Sequence, residues 1–131
     1  MNKNLWQYPN DTCKALSIMG SYFEAVQWTE ELESESVDKD SWNSAYNDCS
    51  SFVQKILTSE EYKKSTLIIE WDNQEIMNRM GHDLWLTRNG HGAGFWDRPE
   101  FWGDCADLFS DFARSMGEKY AYVENGKLFF E

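Results

Sequence analysis

A chain of 131 residues with 12 lysines and arginines against 23 aspartates and glutamates has a formal charge of −11 at neutral pH. Charge of that sign repels nucleic-acid phosphates and anionic membrane surfaces, which argues against direct DNA, RNA or membrane binding. Aromatic residues make up 16% of the chain, enough to argue against disorder, because each buried ring removes on the order of 150–250 Å² from water.

The length predicts one globular domain spanning residues 1–131. Cys13, Cys49 and Cys105 are odd in number, far apart and without a C-x-x-C pair, so neither a disulfide framework nor a zinc finger is expected. The start carries no charged-then-apolar leader and no apolar run approaches ~18 residues, so cytoplasm is the expected compartment.

In chain order, residues 1–10 read as a lead-in closed by Pro9, and Asp11 or Thr12 offers an N-cap for a first helix over 12–32. Leu16, Met19, Phe23, Val26 and Leu32 supply its apolar stripe, widened by Tyr22 and Trp28. Residues 30–40 carry acids without apolar period and predict a loop or a solvated helix end. Within them Glu30, Glu31, Glu33, Glu35, Asp38 and Asp40 form either a charged connector or a strip for docking a basic partner.

Asp40 or Ser41 then caps a second helix running to about Leu57, with Cys49 on its apolar stripe as a small core residue. A shorter segment begins at Ser59, and Leu67-Ile68-Ile69 fits a strand or a buried helix equally well. Trp71-Asp72-Asn73 opens a further helix ending near Arg88. Within it Gly81 implies close packing, and Asn89-Gly90 provides a left-handed cap. The competing reading is a hairpin pairing residues 84–87 with residues 94–97. Pro99 stops extension after Arg98, and a last helix is expected from about Asp104 to Met116, closed by Gly117. Tyr120–Glu124, Asn125-Gly126 and Lys127–Phe130 form a hairpin signal with a type I′ turn. The predicted class is α+β: a mostly helical domain with a small C-terminal antiparallel hairpin covering one end.

The stretch from Gly81 to Arg98 concentrates the chemistry, holding both histidines and four of the eight glycines. The glycine loop from Arg88 to Gly94 could bring backbone N–H groups to an anion, with Arg88 and Arg98 adding charge-assisted bonds. Its spacing is neither that of a P-loop nor that of a dinucleotide fingerprint, so a tight turn across an aromatic cluster is the competing reading. His82, Asp83, His91 and Asp97 could bind a metal or move a proton, but histidines nine apart have no standard ligand spacing. No cysteine has a neighbouring histidine and no serine sits in a G-x-S-x-G elbow, so no nucleophile is expected. The candidate binding residues are Trp85, Arg88, Asn89, His91, Phe95, Trp96, Asp97 and Arg98, with no catalytic residue, metal or cofactor assigned.

The run Gly81-His82-Asp83-x-Trp85-Leu86-Thr87-Arg88-Asn89-Gly90-His91-Gly92-Ala93-Gly94-Phe95-Trp96-Asp97-Arg98 resembles the signature of a family of small acidic proteins. That family is encoded by bacterial viruses and prophage-like elements. Tyr22-x-Glu24-Ala25-x-x-Trp28 resembles its first helix, Asp48-Cys49-x-x-Phe52 its second, and Tyr122-Val123-x-Asn125-Gly126-Lys127 its closing hairpin. The chain departs from the pattern after Arg98, where Pro99-Glu100-Phe101-Trp102 replaces a glycine-containing segment. The resemblance implies a phage origin and a role in the host cytoplasm, and carries no catalytic roles. The leading expectation is a non-enzymatic accessory protein that binds a host protein with a basic surface, such as a defence or nucleic-acid-handling factor. The alternative is a small-ligand, nucleotide-binding or hydrolytic protein using the Arg88–Gly94 loop.

Overall fold

A computed structural model of the chain describes residues 10–131, with side chains from Cys13 onward. The expected lead-in through Pro9 lies outside them, as do the side chains of Asp11 and Thr12. Helix α1 spans Asn10–Thr29, earlier at both ends than the expected 12–32. It buries Ala15, Ile18, Met19, Tyr22, Ala25 and Val26, while Leu16 and Trp28 fall off that stripe and stand exposed. It stops because the chain turns left-handed at Glu31, where Leu32 N–H reaches back to the Gln27 carbonyl at 2.9 Å.

Residues 30–40 are not wholly irregular. Strand β1, Ser36–Val37, pairs in parallel with the C-terminal strand, placed by Ser36 and Asp38 N–H groups donating to the Gly126 and Leu128 carbonyls. Two residues are too few for any alternation to show in sequence. Helix α2, Lys39–Thr58, is capped by Asp38 rather than by Asp40 or Ser41: the Asp38 carboxylate accepts from Ser41 N–H at 3.1 Å. Ser41 is buried and accepts from Phe130 N–H instead. Helix α3, Glu60–Lys64, is capped by Ser59. Leu67-Ile68-Ile69 is neither strand nor helix; Ile69 enters the core and Ile68 is exposed.

Helix α4, Gln74–Arg88, is the centre of the molecule. Asn73 caps it by accepting from the N–H groups of Glu75 and Ile76. From Asp83 to Arg88 every residue is buried, so this half of the helix is enclosed on all sides. Gly81 makes the α1–α4 approach possible, since a Cβ there would fall on the Ile18 carbonyl oxygen and the Ser21 hydroxyl. The end of α4 is a Schellman cap: Gly90 is left-handed at φ 70°, His91 N–H donates to the Leu86 carbonyl at 3.0 Å, and Gly90 N–H to that of Thr87 at 3.2 Å. The competing hairpin over 84–97 is thus absent, because residues 84–88 are helical and Phe95–Asp97 form a 3₁₀ turn.

Pro99 opens a helix rather than only halting extension. It occupies the first turn of α5, Pro99–Trp102, where its missing N–H has no partner to lose. A 3₁₀ turn over Gly103–Cys105 leads into α6, Ala106–Ser115, two residues later than the expected start. Asp104, Asp107 and Asp111 are exposed.

Strands β2, Ala121–Glu124, and β3, Lys127–Phe130, are antiparallel, with Val123 opposite Leu128. Their turn is type I′, with Asn125 at φ 53° and Gly126 at φ 79°. The expected hairpin is therefore present, but β1 extends it into a three-stranded mixed sheet ordered β1-β3-β2. The molecule is mostly helical and broadly α+β. Phe52, Phe95, Trp102 and Phe109 form the aromatic heart of the core, Phe95 meeting Trp102 edge-on at 5.4 Å. Among the described residues no helix is long and apolar enough to cross a membrane.

Candidate binding groove

Four of the eight candidate binding residues turn inward. Arg88 donates through Nε to the Gly117 carbonyl (2.9 Å) and through Nη2 to that of Met116 (3.1 Å). Its Nη1 bonds the Tyr22 hydroxyl (3.0 Å) and Asp48 (2.7 Å). Burial alone would lower its pKa, but Tyr22 and Asp48 outweigh that and hold it raised. Trp85 is fully buried, its indole N–H donating to Thr29 at 2.8 Å. Asn89 ties the end of α4 to Lys119 by accepting its N–H at 2.8 Å. Phe95 belongs to the aromatic core.

The glycine loop spends several of its donors on the end of α4 and on the turn that follows the loop. Besides the two cap bonds, Gly94 N–H donates to Asp97 at 3.0 Å and Phe95 N–H to the Thr87 hydroxyl at 3.1 Å. Trp96 and Asp97 stand exposed and do not line the groove described next.

What the fold does assemble is an open groove of about 990 Å³ between the C-terminal part of α1, α4 and the loop. Both histidines line it although they sit on different elements. His82 Nε2 lies 3.3 Å from Glu24 Oε1, and His91 Nε2 lies 3.7 Å from Glu30 Oε2. Leu86, Gly92 and Ala93 give the floor apolar surface, and Trp28 stands over it with its ring 6.5 Å from that of His82. Arg98 closes one end, where its Nε donates to the buried Asp83 at 3.0 Å. Asp83 also accepts from the Trp102 indole at 2.8 Å. Burial raises the Asp83 carboxyl above the ordinary range, and the bonds from Trp102 and Arg98 only partly oppose it.

Of the acidic strip, Glu30 and Glu31 reach this region. Asp38 is consumed as a cap, while Glu33, Glu35 and Asp40 are exposed elsewhere. Glu24 and Trp28 were not among the sequence-derived site residues. Trp28 read in sequence as part of the apolar stripe of α1; only the fold shows that it and Glu24, four apart, share an exposed face of that helix. Among the described residues no three His, Cys, Asp or Glu side chains converge as a metal-binding group. Cys49 is held as an unreactive thiol, its pKa raised by burial and then by Asp48.

Fold and groove define a mostly helical α+β domain with an open groove lined by Trp28, two glutamates, both histidines and Arg98. No known protein family, curated protein or solved structure matches the chain.

Proposed function

We propose that this is a non-enzymatic binding protein that captures a partner carrying a basic surface, using the groove between α1, α4 and the glycine loop. In line with the resemblance of its central motif, the partner is a host protein met in the cytoplasm of an infected cell, such as a defence or nucleic-acid-handling factor. The observation that carries the reading is Trp28, 69% exposed at the rim of the groove and the most exposed tryptophan among the described residues. An exposed tryptophan over an apolar floor is the usual anchor of a protein interface. Around it stand Glu24, Glu30 and Glu31, in a chain whose net charge is −11. Such a rim speeds encounter with a basic surface and rejects acidic ones.

The alternative, an anionic small ligand on the glycine loop, draws less support. Arg88 and four of the N–H groups between Gly90 and Phe95 already have partners inside the protein.

The test is capture by tagged wild type and Trp28→Ala from host lysate, at low and high salt, with folding of both checked by circular dichroism. A basic partner is expected to be retained by wild type at low salt, released at high salt, and held at least about ten-fold more weakly by the variant. Equal retention by Trp28→Ala would sink the proposal.

A further inference from the structure

Glu31 occupies a backbone position that its residue type disfavours. It sits at φ 54°, directly after the last turn of α1, in the left-handed slot where glycine is the usual occupant. Asn125, the other non-glycine residue at positive φ among the described residues, belongs to a turn that welcomes asparagine; glutamate has no such affinity for the conformation. The gain from having a side chain there lies in where it is placed, since Glu31 lines the groove beside Trp28. Glu24 and Glu30 each face a histidine, whereas the Glu31 carboxylate has no hydrogen bond or ion pair among the described residues.

We infer that the groove takes an arginine side chain of the partner, its guanidinium stacked on Trp28 and forked onto the Glu31 carboxylate. This rests on the docking reading above. An indole face attracts a cation, and a planar guanidinium both stacks on it and bonds a carboxylate through two parallel N–H groups, which an ammonium cannot do. Charge complementarity agrees. Glu24 and Glu31 line the trough, and the one arginine in its lining, Arg98, is paired with the buried carboxylate of Asp83. The apolar floor of Leu86 and Ala93 suits the methylene stem of the same side chain.

The probe is the blocked tripeptide Gly-Arg-Gly, with its citrulline and lysine counterparts, titrated against the full chain while the tryptophan indole N–H resonances are followed. The arginine peptide is expected to move the Trp28 resonance. The citrulline peptide should bind at least about ten-fold more weakly, and the lysine peptide more weakly by a smaller factor. Glu31→Gly should weaken the arginine peptide about three- to ten-fold while raising the melting temperature by about 3–5 °C, because glycine accepts the left-handed backbone freely. That opposite movement separates a binding residue from a structural one. Citrulline or lysine binding as well as arginine would overturn the inference, as would Glu31→Gly binding as tightly as wild type. If the arginine peptide does not bind while Trp28-dependent capture of a basic partner persists, this inference falls and the docking reading stands. If Trp28→Ala captures as well as wild type, the docking reading falls and takes the inference with it.

Discussion

Arg88 Nη1 stands 2.7 Å from Asp48 Oδ2, joining the last residue of α4 to the middle of α2 across the core. The guanidinium is almost wholly buried, and each of its three nitrogens donates inside the protein. A residue that reads in sequence as an anion ligand is, in the fold, the clasp that holds α1, α2, α4 and the chain after α6 together.

Arg88→Ala should therefore act on stability. It leaves the Met116 and Gly117 carbonyls and the Tyr22 hydroxyl without their donor and Asp48 with only Lys119 as a charged partner. Breaking a buried pair from one side costs about 3–5 kcal/mol, enough to unfold a marginal domain. Urea unfolding of wild type and variant measures it. A loss below about 1 kcal/mol would mean the network contributes little.

Gly81→Ala should destabilise although alanine favours helices by about 1 kcal/mol over glycine. The added methyl group would collide with the Ile18 carbonyl oxygen, which belongs to backbone and cannot rotate away as a side chain could. Separating α1 from α4 should cost about 1–3 kcal/mol beyond the propensity gain, read as a lower melting temperature. A rise in melting temperature would show that the two helices have room to spare.

Asp83→Asn tests the buried carboxylate through pH. Burial raises the carboxyl of Asp83 in the folded protein, so the folded state holds this proton more readily than the unfolded chain. Stability from this group is thus lowest at neutral pH. It grows as the pH falls through the raised value toward the ordinary aspartate range near ~4. Asparagine does not titrate. The stability of wild type relative to Asp83→Asn should shift in favour of wild type between pH 7 and pH 4, as followed by urea unfolding at both. A shift the other way would mean that Arg98 and Trp102 more than offset the burial.

Much of the fold is written in signals that act over a few residues. The type I′ turn at Asn125-Gly126, the left-handed cap at Gly90 and the need for a small residue at Gly81 are all legible, because each is a steric demand that few residue types meet. The helical face of α2 is legible for a similar reason, since a period of 3.6 leaves its mark on which positions are apolar. Such signals determine where most helices and the hairpin lie, and the composition determines the sign of the net charge.

Direction and company were left to the tertiary structure. Whether Arg88 faces a ligand or the core depends on Tyr22 and Asp48, 66 and 40 positions away. Ser36–Val37 becomes a strand only because β3 offers it carbonyls, and Glu24 and Trp28 become groove residues only because α4 and the loop pack beside their exposed face. Contacts between distant segments carry no periodicity and no local steric signature. The groove, unlike the helices that form it, exists only once the chain has folded.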